Sequence, residues 1–131
     1  MSELTFPVFT DADIYSRIEA LDDAGLDSLD FGVIGFDADT VVRRYNAFES
    51  KCAGLSPSRV VGHPLFTVVA PCMNNYMVAH RFEDATASEA CLDVTIDYVL
   101  SLRMRPVKVN LRLLTPQAQG LRYVLVTSPP K

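Results

Sequence analysis

The chain has 131 residues, a length that fits one domain with a hydrophobic core of its own. Apolar residues make up 49% of it and charged residues 21%, a balance that excludes general disorder. The formal net charge of −4 disfavours nucleic acid as a partner, because phosphate binding needs a positive surface.

The N-terminal region predicts a short amphipathic helix. Ile14, Ile18 and Leu21 recur at helical spacing, so that one apolar face is available for packing. The helix is expected to end before Gly25, since glycine commonly follows a helix C-terminus. Residues 1–25 are therefore predicted to form an N-terminal helical cap.

A β-hairpin is predicted next. Residues 31–36 form a short apolar run typical of a strand, and residues 40–45 form the returning strand. Asp37-Ala38-Asp39 supplies the turn, because aspartate side chains accept hydrogen bonds from nearby backbone N–H groups. Asn46 is a suitable N-cap for a helix directly after the hairpin. Short helical segments are expected at about 47–52, 57–61 and 76–84.

Three strands complete the chain. Leu92, Val94, Ile96 and Tyr98 alternate with polar residues, which predicts a half-buried strand. Two further strands are expected at 105–113 and 122–127. Consecutive strands with short connections pair antiparallel, so the hairpin and these strands form a five-stranded sheet. The predicted fold is α+β, with short helices on one face of the sheet and residues 26–131 as the core of a single domain.

Several charged residues on these strands are interpreted as exposed. The basic side chains of the penultimate strand, Arg112 among them, favour a solvated face. Asp93 and Asp97 have the spacing of the outer face of the preceding strand and are interpreted as residues that aid solubility.

Targeting signals and metal sites are not indicated. No apolar run reaches the length of a membrane span, and the N-terminus lacks a basic and apolar leader, so we expect a cytoplasmic protein with no membrane partner. The wide spacing of Cys52, Cys72 and Cys91 indicates neither a disulfide framework nor a zinc site. Two of the three cysteines are expected in the core. The histidines His63 and His80 have no third ligand that would suggest a metal.

The order of these elements resembles a PAS domain, and three segments resemble the photoactive yellow protein family. They are Leu26–Ile34, Arg44–Glu49 and Val61–Cys72. The last ends in Val-Ala-Pro-Cys, which is the most specific of the matching motifs. The resemblance covers about residues 10–127.

This resemblance implies a bound chromophore. In the family, the cysteine of Val-Ala-Pro-Cys carries p-coumaric acid as a thioester, which places the attachment at Cys72. The family's tyrosine and glutamic acid, which hydrogen-bond the phenolate oxygen, correspond to Tyr45 and Glu49. The remaining pocket lining is assigned to Ile34, Ala53, Leu55, Phe66, Pro71, Tyr98 and Leu100.

The implied activity is that of a blue-light photoreceptor, not an enzyme. Light isomerises the double bond, the phenolate takes a proton from Glu49, and a buried carboxylate without a counter-charge remains. Partial unfolding of residues 1–25 would follow, and a signalling protein of unknown identity would bind one of the two states. The protein is expected to be a monomer or a weak homodimer.

The pairing of Tyr45 with Glu49 has alternatives. Four residues apart on a short helix, they would share a face and could be buried together. Tyr45 is otherwise a core aromatic residue whose hydroxyl binds a backbone carbonyl, and Glu49 a solvated helix residue.

Two further functions remain open. The family's usual threonine corresponds to Ala53, and the arginine that covers the ring in the best-known member corresponds to Leu55. About two extra residues occur near 101–104, where a family methionine assists recovery. These differences favour a PAS domain without photochemistry that binds a protein or a small ligand. An enzyme with Cys72 as nucleophile is the third hypothesis, but no nearby base is evident.

Overall fold

The computed structural model describes residues 8–88, 91–102, 105–116 and 120–127. The helices are α1 (Ile14–Glu19), α2 (Asp23–Asp27), α3 (Ala47–Ala53), α4 (Pro57–Val60) and α5 (Ala79–Ala87). Between α4 and α5 lie a π-helical segment, Leu65–Val69, and a 3₁₀ turn, Pro71–Met73. The strands are β1 (Gly32–Phe36), β2 (Val42–Tyr45), β3 (Asp93–Leu102), β4 (Arg105–Leu114) and β5 (Arg122–Thr127).

The strands form one five-stranded sheet in the order β2-β1-β5-β4-β3. Every neighbouring pair is antiparallel. The short connections predicted this for the consecutive strands, whereas the pair β1–β5 joins strands that are distant in the chain. In β1, Ile34 lies opposite Tyr45 of β2 on one side and opposite Val124 of β5 on the other. The first hairpin therefore occupies the sheet beside the last strand, and the predicted PAS architecture is confirmed.

One face of the sheet is covered by α3, α4, α5 and the segments between them. The helix-side core, as we name it, comprises Ile34, Phe36, Val42, Tyr45, Val60, Leu65, Phe66, Ala70, Met73, Val78, Ala79, Phe82, Tyr98, Val109, Leu111, Leu113, Val124 and Val126. At its centre, the ring of Phe36 makes edge contacts with Phe66 and Phe82, with ring centroids 5.5 and 4.9 Å apart. Edge-to-face geometry is the preferred arrangement for such rings.

The opposite face of the sheet is covered by α1 and α2. The cap-side core comprises Ile14, Ile18, Leu26, Leu29, Phe31, Val33, Leu114, Tyr123 and Leu125. Because side chains alternate along a strand, β1 and β5 contribute to both cores. The sheet is thus the common wall between the N-terminal cap and the helix-side core.

The N-terminal helix differs from the prediction. Instead of one helix that ends before Gly25, the chain forms α1 and α2, and Gly25 lies inside α2. The cause is Asp22, whose side chain accepts a hydrogen bond from the Gly25 N–H at 2.8 Å and starts a new helix.

Two expectations about polar residues are wrong. Cys52 and Cys91, the two cysteines whose side chains are described, are both exposed and not in the core. Arg112 is buried, not solvated, and its guanidinium binds both carboxylate oxygens of Asp93 at 2.8 and 2.9 Å. Asp93 therefore neutralises a buried cation and is more than a residue that aids solubility.

None of the helices within residues 8–88, 91–102, 105–116 and 120–127 combines the length and the apolar character that a membrane span requires. Within the same ranges, no three histidine, cysteine, aspartate or glutamate side chains are grouped so as to hold a metal ion.

Candidate functional site

The site is built on Asn46, which joins β2 to α3. Its Oδ1 accepts hydrogen bonds from the N–H groups of Glu49 at 3.1 Å and Val33 at 3.0 Å. Its Nδ2 donates to the carbonyls of Leu26 at 3.0 Å and Phe31 at 2.9 Å. Asn46 is fully buried, and these four bonds use the capacity of its amide. The N-cap predicted from the sequence is confirmed, and the same residue also ties α3 to β1 and α2.

Glu49 lies in the first turn of α3 and is buried, with 4% of its surface exposed. Its Oε1 has no hydrogen-bond partner among the described residues. Burial raises the pKa of Glu49 from 4.5 to about 7, because a charged carboxylate loses its hydration there. A substantial fraction of the carboxyl is therefore protonated at neutral pH, and the alternative of a solvated Glu49 is wrong.

Tyr45 is the last residue of β2 and is 8% exposed. The prediction that Tyr45 and Glu49 share one helix is wrong, because the backbone at Asn46 is extended and separates strand from helix. The two side chains are nevertheless neighbours: the Tyr45 hydroxyl donates to the Glu49 carbonyl oxygen across 3.5 Å, a long hydrogen bond. Burial, and then the charge of Glu49, raise the pKa of Tyr45.

The other predicted lining residues are distributed as follows. Ile34, Phe66 and Tyr98 are buried in the helix-side core together with Tyr45, and Leu55 is half-buried against the same core. Pro71 is exposed at the start of the 3₁₀ turn.

The side chain of the predicted attachment residue, Cys72, lies outside the described part of the structure, although its backbone belongs to the 3₁₀ turn Pro71–Met73. The same is true of the side chains of Ala53 in α3 and Leu100 in β3. The roles of these three residues stay predictions.

One polar residue that contacts the predicted lining residue Tyr98 was not predicted. Asn75 donates a hydrogen bond from Nδ2 to the Tyr98 hydroxyl, and its Oδ1 accepts from the Met77 N–H at 2.9 Å. A cavity of about 720 Å³ adjoins these residues, and Val109 is also part of its lining. Its volume is in the range of small-ligand sites. No sequence motif marks Asn75, because its role depends on a contact with a strand far along the chain.

Comparison with known proteins shows the family and the fold of this chain. The family model for the PAS fold matches residues 26–128. Photoactive yellow protein from Rhodothalassium salexigens is 32% identical over 105 residues, which cover 80% of this chain and 83% of the relative. The protein of the same name from Halochromatium salexigens is 33% identical over 105 residues, with the same shares covered. This chain belongs to the photoactive yellow protein family.

A solved structure of a photoactive yellow protein domain is similar to this chain in sequence and fold. The photoactive yellow protein domain of the sensor histidine kinase Ppr from Rhodospirillum centenum is 34% identical, with a TM-score of 0.80. The match covers 86% of this chain and 98% of that domain. A photoactive yellow protein domain therefore exists as part of a signalling protein, and the fold found here is the same.

Proposed function

We propose that this member of the photoactive yellow protein family is a blue-light photoreceptor that carries p-coumaric acid as a thioester of Cys72. The observation on which the proposal rests is the buried Oε1 of Glu49, which has no hydrogen-bond partner among the described atoms. Buried polar atoms are rarely left unpaired in proteins, so an unpaired one calls for an explanation. A phenolic ligand would provide the partner that this carboxyl lacks.

The described residues fit such a group. The protonated carboxyl of Glu49 is a hydrogen-bond donor suited to a phenolate oxygen, and the Tyr45 hydroxyl would be a second one when it exchanges its long bond to the Glu49 carbonyl for a bond to the ligand. Ile34 and Phe66 supply apolar surface in the core to which Tyr45 belongs. When bound, a p-coumaroyl group supplies a double bond that isomerises on absorbing light and a phenol that exchanges a proton.

Glu49 is proposed to hold the proton that matters for signalling. Burial is the cause of its raised pKa, which favours the neutral acid in the folded protein. If Glu49 loses the proton, an uncompensated charge remains in the interior, at a cost of several kcal/mol. That cost is comparable to the stability of a small domain, so the protein relieves it by opening near α3 and the cap.

Leu55 supports this assignment of Glu49. Its half-buried side chain packs against the helix-side core, at the position that corresponds to an arginine in the best-known member of the family. An apolar side chain provides no charge to stabilise a carboxylate, so the substitution favours the protonated acid. The resulting signal is proposed to reach a partner protein that binds the opened state better than the closed one.

Acylation by p-coumaric anhydride tests the proposal. We expect the full chain to gain the mass of one acyl group, to become yellow and to bleach reversibly in blue light. The Cys72→Ala variant should gain neither mass nor colour. The Cys52→Ala/Cys91→Ala double variant is the matched control, because both of those thiols are exposed. It should behave like the natural chain. Acylation that persists in Cys72→Ala would overturn the assignment.

A PAS domain without photochemistry is the second candidate function. The cavity of about 720 Å³ beside Tyr98 favours it, because such a volume holds a small organic ligand. A chain that stays colourless after treatment with the anhydride, but is stabilised against heat by a small apolar acid, would support this function over the first.

A further inference from the structure

Gly32 opens β1 directly against the buried carboxyl of Glu49. A Cβ atom at Gly32 would lie 2.1 Å from Glu49 Oε1, 3.1 Å from its Cδ and 3.2 Å from its Cβ. Heavy atoms that are not bonded do not approach to 2.1 Å, so any side chain at this position would occupy the space of the carboxyl. The missing side chain thus leaves a notch in the sheet, and the carboxyl fills it.

The backbone at Gly32 does not itself require glycine. The glycines with positive φ in the described residues are Gly54 and Gly62, whereas Gly32 has strand geometry that any residue can adopt. Glycine within a strand is also intrinsically unfavourable and often marks a close approach of another group. The close approach of Glu49 is the reason that the structure provides.

The distance between β1 and α3 is fixed independently of this contact. Oδ1 of Asn46 accepts hydrogen bonds from the N–H groups of Val33, the residue after Gly32, and of Glu49. One buried atom therefore joins both backbones and resists their separation. If a methyl group were added at Gly32, the Glu49 side chain would have to leave the notch, because the helix cannot simply move away.

We propose that Gly32 is a positioning residue for Glu49: its missing side chain forms the notch that seats the carboxyl and so fixes the place from which the proton is given. The proposal rests on the proposed function in assigning that proton to signalling. The seating of the carboxyl itself is a property of the chain and can be measured without a chromophore.

The test compares two alanine variants of β1 in the full, chromophore-free chain. In Gly32→Ala the carboxyl is expected to move towards solvent, so the pKa of Glu49 should fall by about one unit or more towards its ordinary value. Gly35→Ala is the matched control, because its Cβ faces the other side of the sheet, 2.8 Å from Cε1 of Tyr123. It should leave the Glu49 titration unchanged. Carbon-13 NMR of the carboxyl carbons measures the pKa of Glu49 in both variants, and the Glu49 signal is assigned by its loss in Glu49→Gln. An unchanged Glu49 titration in folded Gly32→Ala would overturn the proposal.

A double-mutant cycle keeps the test decisive if Gly32→Ala does not fold. Glu49→Ala removes the Oε1 and Cδ atoms that account for the closest contacts, and leaves only the Cβ contact at 3.2 Å. Gly32→Ala should therefore shift the urea midpoint much less in the Glu49→Ala background than in the natural chain. Equal shifts of the urea midpoint in the two backgrounds, or a double variant that also fails to fold, would refute the proposal that Gly32 seats the Glu49 carboxyl. Neither readout needs acylation, so a failed p-coumaroyl reaction counts against the proposed function alone.

Discussion

Glu49 is a buried residue whose ionisation destabilises the folded protein. In the unfolded chain its carboxyl titrates near the ordinary value of 4.5, whereas in the folded chain its pKa is about 7. Between these values the folded protein binds more protons than the unfolded chain, so the free energy of unfolding falls as the pH rises. The contribution is fully present at acid pH and is lost by the time the pH has passed through the folded pKa.

Glu49→Gln should remove this pH dependence. Without chromophore, the natural chain is expected to lose roughly 3 kcal/mol of unfolding free energy between about pH 5 and pH 8. The glutamine side chain that replaces Glu49 does not ionise, so the variant should show a flat profile in that window. Urea unfolding at a series of pH values measures both proteins.

Asp37→Asn is the control for this experiment, with the same change from carboxyl to amide. Burial alone would raise the pKa of Asp37, but hydrogen bonds from Arg43 and from the N–H groups of Val41 and Asp39 outweigh it and lower the pKa. The contribution of Asp37 is therefore lost as the pH falls, below the window of interest. Asp37→Asn should keep the natural slope between about pH 5 and pH 8. A natural chain whose stability is constant or rises there would contradict a buried, ionisable Glu49.

At the level of elements, Arg112 of β4 attaches the N-terminal cap to the sheet. It binds Asp93 with Nε and Nη2. Its Nη1 donates to the carbonyls of Phe9 at 2.8 Å and Asp11 at 2.7 Å. One buried guanidinium thus satisfies two backbone carbonyls of the segment before α1 and is neutralised by β3. Planar, multidentate binding of this kind suits arginine and not lysine.

Arg112→Met should therefore loosen the segment before α1 while leaving the sheet paired. We expect a loss of about 2 kcal/mol of stability, the usual size for hydrogen bonds to a charged group. Amide hydrogen exchange in residues 8–13 should quicken more than exchange in β5. Lys108→Met is the control, because Lys108 is an exposed cation on the same strand. Equal protection of residues 8–13 in both variants would show that Arg112 does not hold the cap.

The elements also show what could be predicted from the sequence. The first hairpin and the Asn46 cap were predictable because neighbouring residues determine them. The break between α1 and α2 was not, because the apolar spacing of Ile14, Ile18 and Leu21 continues across it. Tyr45 and Glu49 were identified by motif, and the strand predicted over residues 40–45 correctly included Tyr45. The placement of the two residues on one helix was wrong, since a spacing of four residues does not by itself show that both belong to the same element. The role of Gly32 was hidden because its contact is with another element.

For the whole molecule, the sheet connects the candidate site with the cap. Tyr45 of β2 faces the helix-side core, and its neighbour Arg44 points to the opposite face. Arg44 donates to the carbonyl of Ile18 in the last turn of α1, to the carbonyl of Leu21 just after that helix, and to the Tyr123 hydroxyl. A cation at a helix C-terminus is also favourable electrostatically. A displacement of β2 at Tyr45 would therefore directly strain the hydrogen bonds from Arg44 that hold α1.

Arg44→Met should uncouple the cap from the site. In the acylated natural chain, blue light is expected to raise amide hydrogen exchange in α1 by about tenfold, the equivalent of roughly 1.4 kcal/mol of lost protection. In Arg44→Met, α1 should already exchange fast in the dark, so that light adds little. Arg43→Met is the matched control, since Arg43 is exposed and binds Asp37 at the hairpin turn. It should retain the full light response. Exchange that rises in α5 but not in α1 of the natural chain would mean that the signal leaves through the helices on the other face of the sheet, and it would contradict coupling through Arg44.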